Sequence, residues 1–167
     1  MARRLLLIRH AQATDASPDR QRPLTHHGER AARAVGAWLR DAGLAPDLVL
    51  VSVALRAQQT WAAASEALGS GRATDVDERI YDNTVEALLG VLADVPDDVQ
   101  TVAVVGHNPS IGELAYALDD GSGSDSARGD LHAGFPTGAV AVFGLDRAWA
   151  DLGPGGALLE DFAVPGA

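Results

Sequence analysis

Short apolar runs that stop abruptly at charged or polar residues mark this chain. Leu5, Leu6, Leu7 and Ile8 run into Arg9 and His10, and residues 101–105 run into Gly106, His107, Asn108 and Pro109. A third run, 48–52, ends at Ser52, with Arg56 shortly after it. A short uninterrupted apolar stretch of this kind predicts a buried strand. Between these runs the period changes. Ala31, Ala34, Val35, Trp38 and Leu39 recur at helical spacing and predict a helix over 26–41. Thr25 is its expected N-cap, Glu29 places negative charge in the first turn, and Gly43 fits the stop. Helices are also expected over 55–68 (closed by 69–71), over 85–93 (broken by Pro96) and over 110–118, with a short strand over 73–76.

The pattern changes at Asp119. Residues 119–134 are rich in Gly, Ser and Asp and read as a mobile loop. Two last strands are expected over 139–145 and 157–162, around a turn at 153–156. The alternation of strand and helix predicts an α/β fold: a three-layer sandwich with a mostly parallel central sheet and helices on both faces. No repeat divides the chain, and residues 1–167 are expected to form one domain.

Composition narrows the chemistry. The formal net charge of −10 argues against nucleic acid and against an anionic membrane surface as partners. It leaves an anionic substrate open, because a few arginines in a cleft set the local sign of the field. With no cysteine, disulfides, thiol nucleophiles and thiolate-bound metals are excluded. The basic start before residues 5–8 is too short in its apolar part for a signal peptide, and no stretch reaches the length of a membrane span. The expected location is the cytoplasm.

In open α/β sheets, ligands bind just beyond the carboxyl ends of strands. Arg9, His10, Arg56 and His107 all fall at such ends, which suggests one cationic pocket for a phosphoryl group. Asn108 and Ser52 are further candidates for phosphate contact, Ser52 alternatively as a cap for the following helix. Ser52 is no hydrolase nucleophile, since no Gly-x-Ser-x-Gly elbow surrounds it. His26 and His27 point about 100° apart on a helix and lack partner ligands, and Asp119, Asp120 and Asp125 fail calcium-loop spacing, so no metal is expected. His132 is expected in a solvated loop, and Trp38, Trp61 and Trp149 in packing.

These residues resemble the histidine phosphatases, the phosphoglycerate-mutase-like superfamily, and within it the SixA-type phosphohistidine phosphatases. The resemblance rests on Arg9-His10-Ala11, on Asp19 followed by Arg22-Pro23-Leu24-Thr25 and Gly28, on the stretch 52–60, and on Gly106-His107. It implies that His10 is the nucleophile, that Arg9, Arg56 and His107 bind phosphate, and that no cofactor is needed. A neutral imidazole has a lone pair for attack on phosphorus, and neighbouring arginines lower its pKa. Guanidinium groups match the phosphoryl oxygens in geometry, and His107 would donate as charge develops. The helix after Pro109 is expected to add backbone N–H groups.

Two departures matter. Ala11 stands where many members of the superfamily have glycine, a mark of the subfamily. Relatives acting on alkyl phosphates usually carry an acid after the third strand; here Glu78 and Asp82 are the candidates, outside the glycine-rich context of those enzymes. An alkoxide leaving group needs that proton, whereas the P–N bond of phosphohistidine is labile and its imidazole can be protonated by solvent. The expected substrate is therefore phosphohistidine on a protein. The alternatives are a small phosphorylated molecule, with Glu78 or Asp82 as acid, and a non-catalytic phospho-ligand binder.

Overall fold

The computed structural model describes residues 2–69 and 73–167. Its elements follow the order β1 (Arg3–Arg9), α1 (His26–Asp41), β2 (Leu48–Ser52), α2 (Leu55–Leu68), β3 (Ala73–Asp77), α3 (Glu78–Tyr81), α4 (Val85–Ala93), β4 (Thr101–Gly106), α5 (Ser110–Leu118), α6 (Asp125–Ala133), β5 (Val140–Leu145) and β6 (Leu158–Ala163). Short 3-10 turns at Asp19–Gln21 and Trp149–Asp151 complete the list.

The strands form one sheet in the order β3-β2-β4-β1-β5-β6. β1, β2, β3 and β4 pair parallel, while β5 runs antiparallel to both β1 and β6. Only β5 is reversed, as a mostly parallel sheet requires. Alternation along β1 sends its side chains to two separate cores. Leu6 and Ile8 pack with Val35 and Leu39 of α1 and Trp61 and Leu68 of α2. Leu5 and Leu7 pack with Leu88 and Leu92 of α4, Ile111 and Leu114 of α5, and Leu131 of α6. Helices therefore cover both faces, and the expected three layers are present.

Local chemistry explains the element ends. Thr25 Oγ1 accepts from Gly28 N at 2.9 Å, the cap expected for α1. Gly43 (φ 69°) and Gly69 (φ 85°) take the left-handed conformation that ends α1 and α2; of the expected closure at 69–71, residues 70 and 71 lie outside the described residues. Gly36 serves packing instead. A Cβ there would lie 1.9 Å from Ala64 O, so only glycine lets α1 approach α2 this closely.

Residues 119–134 are a correction. Instead of a mobile loop they hold α6, capped where Ser124 Oγ accepts from Ala127 N at 3.1 Å. Its buried residues are Ala127 and Leu131, one turn apart, and Arg128 Nε donates to Asp119 Oδ2 at 2.9 Å. Two apolar positions make too weak a period to read, and packing against the sheet supplies what local propensity lacks. Asp119 and Asp120 instead accept from the amides of Gly121 and Ser122, forming a turn. His132, within α6, is exposed. No helix among the described residues is long and apolar enough to cross a membrane.

Candidate active site

The register of β1 against β4 builds the centre of the site. Arg9 pairs with Gly106, and His10 N donates to Gly106 O at 3.0 Å, so the next residues on both strands, His10 and His107, leave the sheet side by side. Their ring centroids are 5.2 Å apart. Arg56, at the start of α2 beyond β2, is 6% exposed; His10 and His107 are 8% and 4% exposed. Thr60 ties α2 to this corner: its hydroxyl donates to Arg56 O at 2.7 Å and accepts from Ala11 N at 3.0 Å.

His10 is held as a neutral base. Its Nδ1 lies 2.7 Å from Ala11 O, and a carbonyl only accepts, so the ring hydrogen belongs on Nδ1. Nε2 keeps its lone pair and has no hydrogen-bond partner among the described residues. Burial lowers the pKa of His10 to about 4; the Ala11 carbonyl opposes this, and Arg56, Arg9 and Arg22 add smaller downward pushes. Desolvation thus outweighs the arginines named from the sequence. His107 is pushed to about 3, again chiefly by burial, with the His10 and Arg56 charges next.

The cations have partial partners. Arg9 Nη1 donates to Phe135 O at 3.0 Å. Arg56 reaches Asp19 twice, through Nη1 to its carbonyl at 2.9 Å and through Nη2 to Oδ2 at 3.2 Å. Arg9 Nε, Arg56 Nε and His107 Nδ1 are buried without a partner among the described residues. Leaving such groups unpaired costs about 1–3 kcal/mol each, and three in one corner call for an explanation in terms of an incoming acceptor.

Comparison with known proteins gives that corner a family. Residues 5–97 match the model of the histidine phosphatase superfamily (branch 1). The chain belongs to that superfamily. It is 38% identical over 161 residues to an uncharacterised protein of Mycobacterium tuberculosis, covering 95% of this chain and 99% of that one. It is 30% identical over 149 residues to the phosphohistidine phosphatase SixA of Escherichia coli K12, covering 86% of each. A structure from Nakamurella multipartitia, provisionally assigned as a phosphohistidine phosphatase SixA, superposes with a TM-score of 0.87 at 39% identity, over 98% of this chain and 96% of that one. Membership and these neighbours support hydrolytic phosphatase chemistry at the site.

Within this histidine phosphatase, several candidates fall elsewhere than expected. Ser52 has no exposed surface, and its hydroxyl is already engaged, with His107 Nε2 at 2.8 Å and Ala54 N at 3.2 Å. The Asn108 amide donates to Phe135 O at 2.9 Å and its carbonyl accepts from Gly112 N at 3.2 Å, which leaves it structural. The first amides of α5 are also taken: Ser110 N by Asn83 Oδ1, Ile111 N by His107 O and Gly112 N by Asn108 Oδ1. They are not free to bind an anion.

Neither candidate acid joins the cluster through any contact. Glu78 is exposed and pairs with Arg20 at 3.4 Å, and Asp82 is an exposed C-cap residue of α3. The carboxylate that does reach the site is Asp19, which also accepts from Tyr81 and Arg22. Those contacts, the Tyr81 hydroxyl foremost, hold it at about 2, so it is ionised at neutral pH and no proton donor. Sequence reading quoted Asp19 without giving it a part, and overlooked Tyr81, whose ring meets His107 edge-on at 5.8 Å. Asn83 and the Phe135 carbonyl were likewise missed. Asn83 takes a positive φ (62°), a conformation its residue type tolerates, but only the structure reveals it. Among the described residues no group of three or more His, Cys, Asp or Glu is placed to hold a metal ion.

Proposed function

We propose that this protein hydrolyses phosphohistidine, carried on a protein partner, through a phosphorylated His10. The observation that carries the proposal is the three buried, unpartnered nitrogens of Arg9, Arg56 and His107 gathered beside a histidine whose Nε2 lone pair is free. Phosphoryl oxygens are acceptors matched to those donors. Water does not reach these nitrogens, so the shell around them must loosen to admit the group.

In the first step His10 Nε2 forms a bond to phosphorus while the P–N bond to the substrate imidazole breaks, the leaving nitrogen taking its proton from solvent. Water then attacks the phosphorus, releases inorganic phosphate and returns His10 to its neutral form. Arg9, Arg56 and His107 stabilise the charge on the transferring group in both steps. The surroundings favour a phosphoramidate over an alkyl ester. Glu78 and Asp82 stand outside the cluster, and Asp19 is held ionised, so an alkoxide would leave without general-acid help worth roughly 10²–10⁴-fold.

The test compares rates on a phosphohistidine-bearing protein domain with rates on aryl and alkyl phosphomonoesters, with His10→Ala as the blank. Preference for phosphohistidine over alkyl esters by about 10²-fold or more is expected. Equal turnover of alkyl esters would overturn the substrate assignment and point to a proton donor.

A further inference from the structure

Ser52 ends β2 fully buried, and its hydroxyl is spent on a residue of the site. Oγ sits 3.2 Å from the amide nitrogen of Ala54, which can only donate, and 2.8 Å from His107 Nε2. A hydroxyl has one hydrogen to give and two lone pairs. Among the described residues, His107 Nε2 is the one acceptor within its reach, and Ser52 is completely buried. If Nε2 carried the ring hydrogen, two N–H groups would converge on Oγ and the hydroxyl hydrogen would have no acceptor. A buried polar group left that way is costly. The arrangement that satisfies every atom runs from Ala54 N–H to Oγ and from Oγ–H to Nε2. In a neutral ring the hydrogen then belongs on Nδ1, because the bond made by one nitrogen sets the state of the other.

We propose that Ser52 is a positioning residue that locks His107 in the Nδ1–H tautomer, so that this ring can only donate to a phosphoryl oxygen. The inference rests on the function proposed above for the purpose of that donor. Tautomer and geometry stand independently of it. The consequence is an asymmetry between two rings in the same state. His10 gives its Nδ1–H to Ala11 O and keeps a lone pair on Nε2. His107 has its Nε2 lone pair occupied by Ser52 and keeps an N–H on Nδ1, the nitrogen that lacks a partner. One imidazole is prepared to attack and its neighbour to stabilise, and exchanging the roles would require Ser52 to rotate its hydrogen into a place with no acceptor. Tyr81, packed edge-on against His107, helps hold the ring plane in which this contact is made.

The experiment is a long-range proton–nitrogen correlation spectrum of the full chain labelled with ¹⁵N-histidine, read alongside kcat and KM on a phosphohistidine domain. In the wild type, His107 is expected to show a protonated Nδ1 and a bare Nε2 at pH 7. Ser52→Ala should move hydrogen to Nε2 and lower kcat by about 100-fold, the scale of losing one donor to a developing oxyanion, with KM changed far less. Ser52→Thr keeps the hydroxyl and should restore both tautomer and rate. Hydrogen on Nε2 in the wild type overturns the inference and needs no variant to fold. So does a slow Ser52→Ala enzyme whose tautomer is unchanged, since that loss would be merely structural. A wild type without phosphatase activity, but with the Nδ1 hydrogen shifted by Ser52→Ala, would uphold the tautomer lock while the proposed function fell.

Discussion

The two ends of the sheet serve the site in different ways. The parallel part, β1, β2 and β4, delivers side chains: Arg9, His10, His107 and, at the start of α2, Arg56. The part beyond Asp119, with α6, β5 and β6, delivers main chain. Phe135 O accepts from both Arg9 and Asn108, and Ala139 O accepts from Arg9 N at 3.2 Å. On the proposed function, one region supplies the reacting groups and the other fixes how they are aimed. Substitutions in the two should therefore fail differently, the first in activity and the second in stability.

The largest effect expected is at His10. His10→Ala removes the proposed nucleophile and should cut turnover at least about 10⁴-fold, while thermal unfolding of the variant stays close to the wild type. Appreciable residual phosphatase activity would break the assignment of roles. Phe135→Ala makes the opposite case. Its ring is buried and meets Phe162 edge-on at 5.3 Å, so about 3–5 kcal/mol of stability should be lost in urea unfolding. Its carbonyl remains, and kcat should fall less than about 10-fold, far from the nucleophile's effect. A loss of activity matching that of His10→Ala would show that the second region does more than aim.

The smallest effect is in pH. With His10 at about 4, its lone pair is free through the neutral range, and kcat/KM should fall only as pH drops through about 4, not near 6.5. Stability follows the same groups. His10 and His107 titrate lower when folded than when unfolded, so between these values the unfolded chain binds more protons. Stability is then complete above about 6.5 and declines as pH falls toward about 4 for His10 and about 3 for His107. The region beyond Asp119 holds no buried histidine among its residues, so hydrogen exchange at pH 5 should loosen the ends of β1 and β4 before β6.

The same contrast explains what was legible in sequence. Strands that end in charged residues, and helices with a continuous apolar stripe, announce themselves through side chains, and α1, α2, α4 and α5 lie where their periodicity placed them. Arg9, His10 and His107 could be singled out because each lies at a strand's end, and Arg56 because it follows one closely. What escaped acts through other means. Phe135 contributes a carbonyl, which every residue has. Asp19 and Tyr81 meet Arg56 and His107 only through the packing of a loop and the four-residue α3, too short to show a period. Ser52 was visible, but its burial, which turns a phosphate contact into a grip on His107, is a tertiary fact. The burial that dominates the histidine pKa values is equally absent from any local pattern.

The pairing of Arg9 with Gly106 bears on how the chain acquires its reactivity. The two residues come from the first strand made and the fourth, with α1, β2, α2, β3, α3 and α4 between them. A ribosome-bound chain carrying only β1 to β3 has His10 but neither the second ring nor the strand that aligns it. Closing so long a loop is also among the slower events in folding, since its entropy is lost before the contact rewards it. The side-by-side placement of the two rings should therefore appear late and all at once, with the docking of β4 between β1 and β2, and on the proposed function hydrolytic competence should appear with it.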